Sequence, residues 1–198
     1  SLLVESEPSK RGNATALAAL ATLCSFVVDS CARPRITANF NSGIADQLPA
    51  PGSSKQGAGF LAHFALRLSC NHEGYEPLWR EQLGDVWREK REPFTWPVLG
   101  GDDDRWEVRA AIDAVVADAY GLSREQYQHV LSTFSHKSYP KAPDLCLAKF
   151  DELKDIGLEA FTRKYDPYWD IPLNENLPKP VIDLPIPAAA KKNPQQPA

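Results

Sequence analysis

The stretch "RWEVRAAIDAVVADAYGLSREQYQHVLSTF", residues 105–134, restricts the fold more than any other part of the chain. Val108, Ile112, Val115, Ala119 and Leu122 recur at helical spacing, so they predict one buried stripe. Gly121 stands where a helix ends in the left-handed conformation. Ser123 with Gln126 then reads as a capping box, with Leu122 placed to pack on Tyr127 as a hydrophobic staple. Tyr127, Val130, Leu131 and Phe134 continue the period. Two antiparallel-capable helices joined by so short a break require a helical packing partner. At the start of the first helix, Asp104 followed by Glu107 predicts a capping arrangement.

The remaining segments extend the helical reading. From Gly12-Asn13 a helix is expected to run to Arg33-Pro34, with Leu17, Leu20, Cys24, Val27, Val28 and Cys31 on its buried face. "RITANFNSGIADQLPAP" reads as an extended, loop-like segment, and "PGSSKQG" as a turn or linker. "AGFLAHFALRL" resumes a helix. "LWREQLGDVWREKRE" predicts an amphipathic one with Leu78, Leu83, Val86 and Trp87 as its apolar points. "PFTWPVLGGDDD" is an irregular connection, and a further helix covers about residues 144–164. From 166 onward, prolines at 167, 172, 178, 180, 185, 187, 194 and 197 predict an extended tail able to lie along a partner. The expected class is mainly α (α+β with few short strands): a helical domain with a loop-rich N-terminal part and an extended Pro-rich tail. The corresponding segments are 1–56, 57–165 and 166–198.

Hydrophobic residues make up 43% of the 198, enough for a packed core, and the net charge of −4 excludes a globally basic nucleic-acid binder. The charge is uneven. Residues 30–70 carry Arg33, Arg35, Lys55 and Arg67 against Asp46 alone, whereas residues 101–198 carry 12 basic and 16 acidic side chains. Cys24, Cys31, Cys70 and Cys146 form no Cys-x-x-Cys pair and are too sparse for a disulfide scaffold, so reduced thiols in a cytosol are expected. The run "ATALAALATLCSFVVDSCA" is interrupted by Asp29 and followed by Arg33, which fits a core helix better than a signal peptide or membrane span. The chain starts at Ser1 and holds no Met, which suggests a fragment or processed piece of a longer polypeptide.

No catalytic constellation is legible. Asp102-Asp103-Asp104 could ligate a metal, yet carboxylates at a helix start are already favoured by unpaired N–H groups. Cys70 and His72 near His63 lack a second ligand pair. Asp144 with Glu152-Leu153-Lys154 resembles a metal-dependent nuclease pattern, but it falls in a helix where that chemistry uses strands. His129 and His136 have no activated Ser or Cys beside them in sequence, and no Gly-rich phosphate loop follows a strand.

Two blocks together resemble a known family. "LATLCSFVVDSCARPRITANFNSGIADQLPAP" matches through Ser25, Phe26, Asp29, Arg33, Asn39, Asn41, Gln47, Leu48, Pro49 and Pro51; "RWEVRAAIDAVVADAYGLSREQYQHVLSTF" matches through Arg109, Asp113, Ala114, Tyr120, Gly121, Leu122, Leu131, Thr133 and Phe134. In this order and spacing they are similar to the C-terminal region of type IIG restriction–modification, adenine-specific DNA methyltransferase-like proteins, as also found in the BREX and DISARM phage-defence systems. There the region closes the target-recognition domain and adds a helical extension. The resemblance implies a non-catalytic part that docks on and reads DNA in a prokaryotic cytoplasm. Arg33 and Arg35 would contact phosphates or bases, and Asn39 and Asn41 base edges, with Phe40 between them able to stack on a base. The Gly-rich S-adenosylmethionine loop and the Asn-Pro-Pro-Tyr motif of such enzymes are absent, "DPYW" at 166–169 being no substitute. That cofactor is therefore expected to belong to a catalytic region on the same longer polypeptide or on another chain, with none in this segment. Thr37-Ala38 also stands where relatives often carry Gly-Gly. Apart from DNA reading, two other functions fit the residues: a helical protein-interaction scaffold, favoured by the acidic second half and the Pro-rich tail, and the nuclease above.

Overall fold

A computed structural model describes residues 11–36, 42–45, 47–48, 51–52, 54–85 and 96–177. Its elements are helical: α1 (Asn13–Leu23), α2 (Phe26–Ala32), a 3-10 turn (Arg33–Arg35), the one-turn α3 (Ser42–Ala45), α4 (Lys55–Ser69), α5 (Glu76–Leu83), α6 (Asp102–Ala119), α7 (Arg124–Ser132) and α8 (Ala142–Tyr165). The fold is mainly α, and no strand occurs among the described residues.

The centre is built by α4 and α6. A helix that is apolar on one stripe needs one neighbour, whereas one buried all round must be enclosed. Phe60 through Leu68 of α4 are all buried, as are Ala110 through Ala117 of α6. Alanine makes the second case possible: Ala110, Ala111, Ala114 and Ala117 let neighbours approach on faces the predicted stripe left out. Helix α1 packs on α4, and α8 packs on α6. One core cluster takes in residues from Leu17 to Ile171.

The helix expected from Gly12 to Arg33 is two helices, whose axes bend by 73°. Ser25 causes the break. It is extended, its hydroxyl accepts from the N–H of Val28 at 3.2 Å, and it donates to the carbonyl of Thr22 at 2.8 Å. Redirected, the chain buries Val27 and Val28 but leaves Leu20 and Leu23 exposed, with Cys24 exposed and Cys31 half-buried rather than on a shared buried face. No single helix among the described residues is long and apolar enough to cross a membrane. The bent α1–α2 pair has the length and composition only when taken together, and Leu17, Ala21, Val27 and Val28 are buried in the core.

The corner at 119–126 follows its sequence signals. Gly121 has φ +69°, its N–H donates to the carbonyl of Asp118 at 2.8 Å, and that of Leu122 donates to Ala117 at 3.1 Å. This is the Schellman arrangement, which satisfies carbonyls the helix end leaves over. The Ser123–Gln126 capping box is present in both directions. Tyr127 and Leu131 are buried, while α7 ends before Phe134.

Three other expectations change. The cap of α6 is Gly101, with no side-chain bond; Glu107 instead pairs with the nearly buried Lys149 of α8 at 2.6 Å. Helix α5 ends at Leu83, so the predicted continuation through Val86 and Trp87 lies outside the described residues. The start of the Pro-rich tail folds back on its own chain: Asp166, Tyr168 and Ile171 are buried. The helix before it breaks at Gly157 (φ +77°), and only its second half aims the chain toward α4 and α1.

Candidate nucleic-acid interface

The two sequence blocks, nearly ninety positions apart, meet around one carboxylate. Helix α2 starts inside the protein, so its first N–H groups cannot reach water. Asp113, from the middle of α6, supplies the acceptor: its Oδ2 takes the N–H of Phe26 at 3.0 Å, and it lies by that of Val27. Tyr127 of α7 turns its hydroxyl toward Asp113 and Cys146. Burial raises the Asp113 carboxyl from 3.8 to about 7, against the lowering effect of those amide hydrogen bonds. Burial likewise pushes the Cys146 thiol up.

Outside this cap lies a ledge of rings. Phe26 meets Phe134 edge-on with centroids 4.8 Å apart, His136 at 5.1 Å and Trp106 at 6.4 Å; Tyr139 stacks on Trp106 at 4.8 Å and donates its hydroxyl to Asp103. His136, at φ +45°, is anchored by its Nε2 to the carbonyl of Leu131 at 2.7 Å. Arginines sit at both ends. The guanidinium of Arg33 lies 3.8 Å over Phe134, and that of Arg109 lies 4.4 Å over Trp106. Cation–π contact holds a guanidinium by its face and leaves its in-plane N–H groups at the edge, the geometry that grips phosphate oxygens.

Of the predicted site residues, Arg33 and Arg35 lie on the exposed 3-10 turn that follows α2. Arg33 also pairs with Asp29 at 3.1 Å, and Arg35 donates to the carbonyl of Cys31. Asn39 and Asn41, with Phe40, lie outside the described residues. Sequence reading missed Trp106, His136 and Tyr139 as ledge residues. Trp106 carried a usable signal, three positions before Arg109 and so on the same helical face.

The other candidates serve the fold. His63 is buried against Asp166, and Nδ1 of His72 accepts the N–H of Gly74 at 3.1 Å, so neither joins Cys70. Burial raises the Cys70 thiol to about 11. Glu152 pairs with Lys164 and Tyr165, and Lys154 pairs with Asp118. No group of three or more His, Cys, Asp or Glu side chains suited to a metal ion occurs among the described residues. No protein-family profile, curated protein or solved structure matches this chain.

Proposed function

We propose that this chain is the non-catalytic DNA-recognition and docking region of an adenine-specific DNA methyltransferase-like restriction–modification or phage-defence protein, acting in the prokaryotic cytoplasm. Its partners are DNA and a catalytic region, on the same polypeptide or another chain, which carries the S-adenosylmethionine chemistry. The observation that supports this reading is the convergence of both resembling blocks on Asp113. Phe26 and Arg33 of one block contact Asp113 and Phe134 of the other, and the contact holds Arg33 outward beside Arg35. Residues that recur at these spacings thus have a physical reason to occur together.

The arrangement favours backbone docking over base reading by the arginines. Phe134 and Trp106 have a guanidinium over one face, and Trp106 carries Tyr139 as well, so these rings offer little room for a stacked base. The exposed guanidinium edges suit phosphates. Base reading falls to Asn39 and Asn41 in this scheme.

A second reading, a protein-binding helical scaffold, draws on the exposed Leu20 and Leu23 of α1 beside Tyr75. An electrophoretic shift series with duplex DNA, run beside affinity purification in nuclease-treated lysate, separates the two. A DNA shift that weakens with salt is expected. Absence of any shift, with nuclease-resistant co-purification of a methyltransferase or helicase subunit, would favour the scaffold.

A further inference from the structure

The strap after α8 closes over a cavity of about 680 Å³ between α1, α4 and the end of α8. Small residues on the helices, Ala14, Ala18 and Gly59, leave the space; a Cβ built on Gly59 meets nothing within 4 Å. The walls are apolar, from Phe60 on α4 to Trp169, Ile171 and Leu173 on the strap. A volume of this size holds a small organic molecule.

The polar inventory of the cavity is unusual in what is already spent. Asp166 uses Oδ2 on Nδ1 of His63 at 2.6 Å and Oδ1 on the N–H of Tyr168 at 2.9 Å. Lys55 and Glu175, at the rim, pair with each other at 2.9 Å. Two atoms remain: Nε2 of His63 and the hydroxyl of Thr162 are buried, line the cavity and have no hydrogen-bond partner. Buried polar atoms without partners are rare because each costs its full desolvation.

We infer that this cavity is a binding site for a small neutral molecule with an aromatic body and a hydroxyl head. The Asp166 contact holds a proton at Nδ1, which leaves Nε2 as an acceptor on neutral imidazole. A ligand hydroxyl donates to Nε2 and accepts from Thr162, so one atom satisfies both groups. A charged head meets no unspent counter-charge among the described lining residues. The body lies along Phe60, Trp169 and the strap.

The test is calorimetric titration of the full chain with 2-naphthol, naphthalene and 2-naphthoate. Saturable binding of 2-naphthol is expected, about fivefold or more weaker for naphthalene, which lacks the head, and weaker again for the charged 2-naphthoate. Gly59→Leu, which fills the cavity from a helix, should abolish binding without lowering the melting temperature. Thr162→Val, nearly isosteric, should weaken 2-naphthol about fivefold and leave naphthalene unchanged; it carries the test should Gly59→Leu fail to fold. No saturable binding of 2-naphthol, equal binding of naphthalene or 2-naphthoate, or binding undiminished by these substitutions overturns the assignment. DNA affinity plays no part in the readout.

Discussion

Two buried carboxylates organise this molecule, and they do opposite things with the same chemistry. Asp113 and Asp166 each join segments far apart in sequence, Asp113 to Phe26 and Asp166 to His63. Asp113 is turned toward backbone amides that begin a helix, and what reaches solvent from that corner is a pair of arginines held on rings. Asp166 is turned toward a side chain, and the pair leaves a ring nitrogen facing an interior space. One carboxylate therefore supports a charged surface, and the other supports a cavity. The difference lies in the acceptor's partner: an amide has one proton to give, whereas an imidazole bound at one nitrogen still has the other to offer.

The largest effect should come from breaking the second region. Asp166→Ala strands His63 with both nitrogens buried and unties the strap, so a loss of about 4 kcal/mol is expected by chemical denaturation. The ledge at the other end should keep its ring contacts, which aromatic proton shifts report. A smaller loss, under about 1 kcal/mol, would mean the strap is not anchored there.

Asp113→Ala comes next, at about 3 kcal/mol, because the N–H of Phe26 loses its buried acceptor. Here the pH dependence sharpens the contrast. The folded carboxyl holds its proton up to about pH 7, the unfolded one only to about pH 4. The native state thus binds more protons between these values, and stability from this group is present below pH 4 and is lost as pH rises through 7. Asp113→Asn keeps an acceptor for α2 and should flatten that fall. An unchanged stability–pH curve in Asp113→Asn would show that Asp113 is not the titrating group.

Smaller again are the changes at the corner between α6 and α7, which positions Tyr127 and Phe134. Gly121→Val places a β-branched residue at φ +69°, for about 2 kcal/mol. Ser123→Ala removes a cap for about 1 kcal/mol. His129→Ala, on an exposed position of α7, should change neither melting temperature nor DNA binding. Loss of activity in the assembled enzyme without loss of stability at His129 would make the corner a functional site rather than a support.

These examples also mark what was legible in the sequence. Gly121, Ser123 and Gln126 act on backbone groups within a few residues, so their roles could be read from spacing. The break at Ser25 could not. A Ser within an apolar helical run is a cap only if the chain turns there, and Asp113, which receives the redirected helix, is 87 positions away. His63 and Asp166 are 103 apart, and neither carries a local signal of the other. The prolines of the tail were read correctly as ending helix, but composition does not say what an extended segment lies against. In the described part it is the chain's own α4 and α1. At the candidate interface, Arg33 and Arg35 were legible as exposed charge. The rings that hold Arg33 in place lie on other helices and became visible only in three dimensions.

The central claim is that the ledge meets DNA through its arginines, and the salt dependence of affinity tests it most directly. Each phosphate contact releases condensed counterions, so the slope of log K against log salt counts contacts at about 0.9 each. The comparison is between the assembled protein and its Arg33→Ala/Arg35→Ala/Arg109→Ala variant, with the fold checked by melting temperature. The account predicts weaker binding and a slope shallower by about two to three. The same slope and affinity in a folded variant would contradict it.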